Sequence, residues 1–141
     1  MRILIINGPN LNKIESRGSE IYGNSSLKEI EDQLINEFPE IEFSFVQSNM
    51  EGDIVTNIQN ASNNFDGLLI NPGGYAHTSV AIHDALFLCS IPKVEVHLSN
   101  LAKREDFRQK TLTAINCDGY ISGFKELSYF SGVFTLIKLI R

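Results

Sequence analysis

Two periods of apolar and polar residues take turns along this chain. Arg2 to Ile6 is a short apolar run that stops at the turn-rich Asn7-Gly8-Pro9-Asn10, a pattern that predicts a buried first strand. After a long connection to Asn24, Ser26 and Glu29 form a capping box. Leu27, Ile30, Leu34, Ile35 and Phe38 then share one face of a helix that Pro39 stops. Ile41, Phe43 and Phe45 alternate with Glu42 and Ser44, the period of a strand with one wetter side, as at the edge of a sheet. From Asp53, the residues Ile54, Ile58, Ala61, Ser62 and Phe65 repeat at helical spacing, and Asp66-Gly67 breaks the helix before the apolar run Leu68-Leu69-Ile70. Ser79 caps a helix running to about Cys89, and Lys93 to His97 forms a fourth strand after Pro92. From there to about Asn116 no period stands out. Asp118 to Gly123 reads as a last strand, and Tyr129, Phe130, Val133, Phe134, Ile137 and Ile140 as the core stripe of a terminal helix.

Strands alternating with helices require crossover connections and a parallel sheet covered on both faces. Five strands with an edge-like second one fit an α/β, flavodoxin-like three-layer sandwich of order 2-1-3-4-5, with residues 1–141 as a single domain. In such a sheet ligands bind beyond the carboxyl ends of the strands, near the switch point between the first and third.

Composition narrows the classes. With 43% hydrophobic and 21% charged residues in 141, the chain is of ordinary globular make-up, and no internal repeat or low-complexity tract interrupts it. A net charge of -5 without a Lys/Arg block argues against nucleic acid or an anionic membrane as partner, so an anionic ligand has to be held by local arginines. Cys89 and Cys117 are far apart and match no metal-ligand or CxxC spacing, which fits free thiols in the cytoplasm, and the opening residues lack a signal-peptide pattern.

Hydrogen-bonding residues accumulate at the expected mouth. Asn7 to Asn12 follow the first strand, Asn71 to Ser79 the third, and His97-Leu98-Ser99-Asn100 the fourth. Each loop alone is ordinary turn chemistry; three at one edge point to a site. Thr78-Ser79 opens a helix whose free N–H groups suit a carboxylate or phosphate, and ordinary capping explains Ser79 as well. Val80, Ala81, Asp84, Ala85 and Leu88 form a helical stripe that Asp84 interrupts, so this carboxylate needs a partner within the fold, across a subunit interface or at a ligand. His97 shares a strand face with Glu95, which can orient its imidazole, and His77, His83 and His97 make no metal-ligand pattern.

Arg17, Tyr22 and Gly23 lie in the long first connection, of the length that lids have. An arginine beside a tyrosine can turn a phenol into a base. Bringing a phenol down by about two units from about 10 takes about 2.7 kcal/mol. One charge about 4 Å away at an effective dielectric of about 20 supplies roughly 4 kcal/mol before desolvation.

Five strings together resemble one family. Ile5 to Asn12 (IINGPNLN), Glu20 to Gly23 (EIYG), Gln47-Ser48-Asn49, Ile70 to Ser79 (INPGGYAHTS) and Val94 to Asn100 (VEVHLSN) closely resemble the type II 3-dehydroquinate dehydratases, in order and in spacing. Ile121 to Phe124 looks similar too. The resemblance implies dehydration of 3-dehydroquinate to 3-dehydroshikimate in the shikimate pathway, without metal, cofactor or Schiff base. It implies Tyr22 as the base at C2, Arg17 as stabiliser of its phenolate, Asn10 as support for the enolate, and His97 as the acid for the C1 hydroxyl, held by Glu95. Asn71, His77, Leu98, Ser99 and Arg108 are implied substrate contacts, and Asp84 is implied to reach an active site across a trimer contact, in homododecamers built from trimers. The chain departs from the usual pattern at Glu15, where Gly is usual, at Ser19, where Pro is frequent, and at Gln109-Lys110-Thr111, where His-His-Ser tends to follow Phe107-Arg108. These differences bear on the lid and on substrate affinity more than on reaction type.

Two other readings compete with this one. A non-catalytic flavodoxin-like module binding flavin or a small anionic ligand would need a Ser/Thr-rich cradle after the first strand, where Gly8-Pro9-Asn10-Leu11-Asn12 stands. A response-regulator-like domain would need acidic residues near Asn7 and Asn71. The other dehydroquinase class, a barrel with a Schiff-base lysine, needs roughly 200 residues or more.

Overall fold

The computed structural model describes residues 1–141. Five parallel strands, β1 (Arg2–Asn7), β2 (Glu42–Gln47), β3 (Gly67–Asn71), β4 (Lys93–His97) and β5 (Gly119–Ser122), pair in the order β2-β1-β3-β4-β5. The α-helices are α1 (Ser19–Tyr22), α2 (Leu27–Glu37), α3 (Glu51–Asn64), α4 (Val80–Leu88) and α5 (Leu127–Ile140). Side-chain alternation along the strands divides the interior in two. Ile3 and Ile5 of β1, Leu69 of β3 and Val94 and Val96 of β4 pack with α2 and α5. Leu4, Ile6, Leu68 and Ile70 pack on the other side with α3 and α4. No helix is long and apolar enough to cross a membrane.

Local signals placed most element ends. The Ser26 hydroxyl accepts from the Glu29 N–H at 3.2 Å and the Ser79 hydroxyl from the Ile82 N–H at 2.9 Å, so both expected caps form. Other expectations needed correction. Helix α3 begins at Glu51, and Gly67 opens β3 rather than breaking a helix. Ile35 and Phe134 are 46% and 57% exposed. In α5 the buried face is centred on Gly132, where a Cβ would come within 2.5 Å of Leu69 and 2.9 Å of Val96. The bare glycine lets the helix axis approach the sheet, which turns Leu136 inward and Phe134 outward. In α4 the core face is Ile82, Ala85 and Leu86, continued by Cys89, while Val80, Ala81, Asp84 and Leu88 point outward. Asp84 therefore interrupts an outer face, not the core.

Strand β2 is an edge, as its composition indicates, yet Phe43 and Phe45 are only half-buried and stack on one another with centroids 5.6 Å apart. The stretch from Leu98 to Asp118, which shows no period, holds no α-helix; three short 3-10 turns (Leu101–Lys103, Asp106–Arg108 and Ala114–Asn116) carry it. The long connection after β1 is ordered into a 3-10 segment, Leu11–Ser16, and the single turn of α1.

The ends of β1 and β3 meet where the sheet order reverses. Asn7 and Asn71 stand in register, and the Tyr129 hydroxyl of α5 joins them: Asn71 Nδ2 donates to it at 2.9 Å, and it donates to Asn7 Oδ1 at 2.6 Å. Burial pushes the Tyr129 phenol well above its ordinary range, so it stays a neutral hydroxyl able to give and take a hydrogen bond. Gly8 follows at close quarters; a Cβ there would fall on the Pro72 carbonyl, so only glycine lets the two loops touch. Removing the hydroxyl in Tyr129→Phe leaves buried amide groups unpartnered. We expect a loss of about 1–3 kcal/mol in stability, read as a lower urea midpoint with unchanged slope.

Candidate active site

A cavity opens at the carboxyl ends of the strands. Its walls come from the connection after β1 (Leu11, Arg17, Tyr22), the loop after β3 (Asn71 to His77) and the segment after β4 (His97 to Arg108). Of the residues singled out in the sequence, Arg17, Tyr22, Asn71, His77, His97, Leu98, Ser99 and Arg108 all line it.

The single turn of α1 carries Tyr22 inward, where it is 8% exposed. Gly18 before it, at φ 103, and Gly23 after it, at φ 90, supply backbone angles that other residues rarely adopt. The Arg17 guanidinium folds back over this turn. Its Nη2 donates to the Tyr22 hydroxyl at 2.6 Å, and its Cζ lies 4.2 Å from the ring centroid. The Arg104 Cζ lies 5.3 Å from the same centroid, so two cations are within cation–π reach of one phenol.

His97 is 5% exposed at the end of β4, and its Nε2 sits 2.7 Å from Glu95 Oε1. Glu95, two residues earlier on the same face, is fully buried behind the imidazole instead of lining the cavity. Its second oxygen, Oε2, accepts from the Thr113 hydroxyl at 2.6 Å. With Nε2 turned to the carboxylate, Nδ1 is the ring nitrogen left for the cavity. The His77 ring stacks at 6.3 Å from that of His97, and its Nδ1 meets the Lys110 carbonyl at 2.8 Å. Burial, opposed by that hydrogen bond, holds the His77 imidazole below its ordinary 6.5. His77 is thus neutral near pH 7: Nδ1–H donates to Lys110 and Nε2 can accept from a hydroxyl.

On the third wall, Asn71 has its Oδ1 engaged by the Gly73 N–H at 3.1 Å and one Nδ2 hydrogen by Tyr129, which leaves one amide hydrogen for a ligand. Gly73, at φ 62, lets this loop turn beside Pro9, whose carbonyl would lie 3.0 Å from a Cβ. Arg104 Nη1 donates to the Ser99 hydroxyl at 3.0 Å, and Arg108 Nε to Glu105 Oε2 at 2.8 Å. Three guanidiniums, Arg17, Arg104 and Arg108, therefore border one cavity in a chain of net charge -5.

Two of the singled-out residues are not brought to the cavity by this chain alone. Asn10 is exposed at φ 68, its backbone N–H donating to Asn49 Oδ1 at 3.0 Å, one residue beyond the Pro9 that touches Gly73. Asp84 is exposed on α4 and meets His83 Nδ1 at 3.0 Å. Ser79 is spent on its own cap, 2% exposed. The sequence reading missed Arg104 and Thr113. Arg104 stands four before Arg108, a spacing that marks a shared face only in an α-helix, which this segment is not; nothing local marks Thr113. No group of three or more His, Cys, Asp or Glu side chains is placed to hold a metal ion.

Comparison with known proteins agrees with this geometry. The family model described as dehydroquinase class II matches residues 1–137. A 3-dehydroquinate dehydratase of Aliarcobacter butzleri is 47% identical over 143 residues, spanning 100% of this chain and 87% of that protein. One from Fusobacterium nucleatum is 49% identical, covering 98% of this chain and 97% of the relative. The crystal structure of a type II dehydroquinase from Butyrivibrio crossotus superposes with a TM-score of 0.94 at 42% identity, over 97% of each chain. A cavity at the switch point of a 2-1-3-4-5 sheet, walled by the residues that carry the resemblance, and matches over nearly the full length lead to one assignment: the chain belongs to the class II dehydroquinase family.

Proposed function

We propose that this chain, acting over residues 1–141 as one catalytic domain, removes water from 3-dehydroquinate to give 3-dehydroshikimate in the shikimate pathway, with Tyr22 as base and His97 as acid. The observation that carries the assignment of roles is the 2.6 Å contact between Arg17 and the Tyr22 hydroxyl in the cavity that His97 also lines. The reading of the chain as a non-catalytic flavin or anion module is not favoured by any of these relatives.

The chemistry asks for three things: a base for a weakly acidic proton alpha to a ketone, a stabiliser for the enolate, and an acid for the leaving oxygen. The Tyr22 phenolate takes the C2 proton; the guanidinium of Arg17 compensates the charge on that oxygen before transfer and hydrogen-bonds the neutral hydroxyl afterwards. The C–H electron pair moves into the C2–C3 bond and the ketone oxygen becomes an enolate oxygen. The support of that oxygen is assigned by the resemblance to Asn10, which this chain holds just outside the cavity, one residue beyond Pro9. Collapse of the enolate forms the C1–C2 double bond and expels the C1 hydroxyl, which leaves as water with a proton from Nδ1 of the His97 imidazolium. Glu95 accepts from Nε2 throughout and keeps the ring oriented. Asn71, His77, Leu98, Ser99 and Arg108 hold the substrate's polar groups; neutral His77 accepts from a hydroxyl.

The exposed face of α4 supports the assembly that the resemblance implies. This helix is apolar on both faces, and its outer face leaves Val80, Phe87 and Leu88 62%, 73% and 74% exposed around Asp84. Copies of the chain cover this face in trimers, which carry Asp84 toward a neighbour's cavity, and trimers build the dodecamer. The enzyme works in the cytoplasm, in keeping with its free Cys89 and Cys117.

Three experiments test these roles. With 3-dehydroquinate and the ultraviolet signal of the enone product, Tyr22→Phe is expected to lower kcat by about 10²–10⁴-fold. Calorimetry should show binding largely intact; near-parental kcat would remove Tyr22 from the role of base. Arg17→Ala should lower kcat at neutral pH by at least about 100-fold and move the activity optimum to more alkaline pH. An unchanged pH–rate profile would mean that the guanidinium does not act on the phenol. Leu88→Glu places a charge on the outer face of α4 and should reduce the native mass measured by sedimentation, whereas a parental mass would show that this face is not the contact.

A further inference from the structure

We propose that Thr113 is a positioning residue for the acid, selecting by its hydroxyl the ionised form of Glu95 and so the protonation form in which His97 serves the cavity. The inference rests on the assignment of His97 as acid.

Glu95 is a carboxylate at 0% exposure in the middle of a sheet, a setting that penalises charge unless both oxygens are served. One oxygen takes the His97 Nε2 contact at 2.7 Å and the other the Thr113 hydroxyl at 2.6 Å. Thr113, itself fully buried, donates. A donor on Oε2 favours a carboxylate that accepts on both sides, so the proton between Glu95 and His97 stays on Nε2, and Nδ1 is the nitrogen presented to substrate. Without that hydroxyl, Oε2 has no donor, and a protonated Glu95 that gives its own hydrogen to Nε2 becomes competitive.

The chain around Thr113 is placed to hold it there. The Leu112 N–H donates to the Ala76 carbonyl at 2.7 Å, and the Lys110 carbonyl takes the His77 Nδ1 contact at 2.8 Å. The Gln109 amide donates to the Leu101 carbonyl at 2.7 Å and the Arg104 carbonyl at 2.9 Å. One strap, Gln109 to Thr113, thus orients both cavity histidines, and it contains the positions at which this chain departs from the usual His-His-Ser. The titratable groups around Glu95 are His97 in contact, His77 stacked beyond it, and Cys117, whose thiol burial pushes up so that it stays neutral.

Thr113→Val keeps the shape and removes the donor. We expect kcat to fall about 10- to 100-fold, the worth of one hydrogen bond to a buried charge, with KM little changed. The acid limb of the pH–rate profile should move to higher pH, because the ionised carboxylate is lost sooner as pH falls. Thr113→Ser should restore both rate and profile. Thr113→Ala, measured in the same way, replaces the valine variant if that one does not fold. A hydroxyl-free variant that is less stable in urea yet keeps the parental kcat and pH profile would overturn the positioning role. His97→Gln separates this from failure of the underlying assignment: an inactive His97→Gln beside a parental Thr113→Val refutes only the role of Thr113, whereas an active His97→Gln refutes the acid and this inference together.

Discussion

The active edge of this protein is hung from one buried hydrogen-bond chain, Asn7 to Tyr129 to Asn71. A parallel sheet that reverses its order must part its connections at that point, and the parting exposes polar strand ends inside the fold. Two asparagines in register at the tips of β1 and β3 cannot satisfy one another and the loops beyond them. A phenol delivered from α5 bridges Asn71 Nδ2 and Asn7 Oδ1, leaving only Asn7 Nδ2 without a partner, and ties the last helix to the first strand across 122 residues. With the tips held, Gly8 and Pro72 touch, Gly73 turns, and the loop bearing His77 is set against the β4 end bearing His97.

Two tyrosines show how surroundings divide the labour. Tyr129 is sealed in, with amide partners and no cation, and remains a neutral hydroxyl suited to structure. Tyr22 lies at a cavity wall against Arg17 and within reach of Arg104, where a charge on its oxygen has compensation close by. The same side chain is a strut in one place and, in the proposed mechanism, the proton acceptor in the other. The histidines divide similarly. His77 has a neutral carbonyl behind it and stays uncharged, while His97 has a carboxylate behind it. A neutral imidazole and one held by a carboxylate thus stand side by side.

Much of this was legible along the chain. The order β2-β1-β3-β4-β5 follows from alternating periods and from the edge-like β2, and the two serine caps formed where their spacing placed them. The pairing of Glu95 with His97 followed from strand alternation, and that of Arg17 with Tyr22 from proximity in one loop. The outward face of α4 was not legible, because a helix apolar all round gives periodicity nothing to choose between; packing of Ile82 and Leu86 against the sheet chose. Phe134 was misplaced for a related reason, since Gly132, which has no side chain to count, marks the true contact line of α5.

By itself, then, the sequence determined the kinds of elements, their order and the strand ends at which chemistry gathers, because capping, turns and periodicity act between residues a few positions apart. The tertiary structure alone decided that Arg104 joins Arg17 at Tyr22, that Thr113 reaches Glu95 from 18 residues away, and that Asn10 and Asp84 stand outside the cavity. The stretch from Leu98 to Asp118 folds into short turns whose side chains take their directions from the carbonyls and charges they meet. Those partners lie on other strands and loops and come within reach only once the sheet has formed.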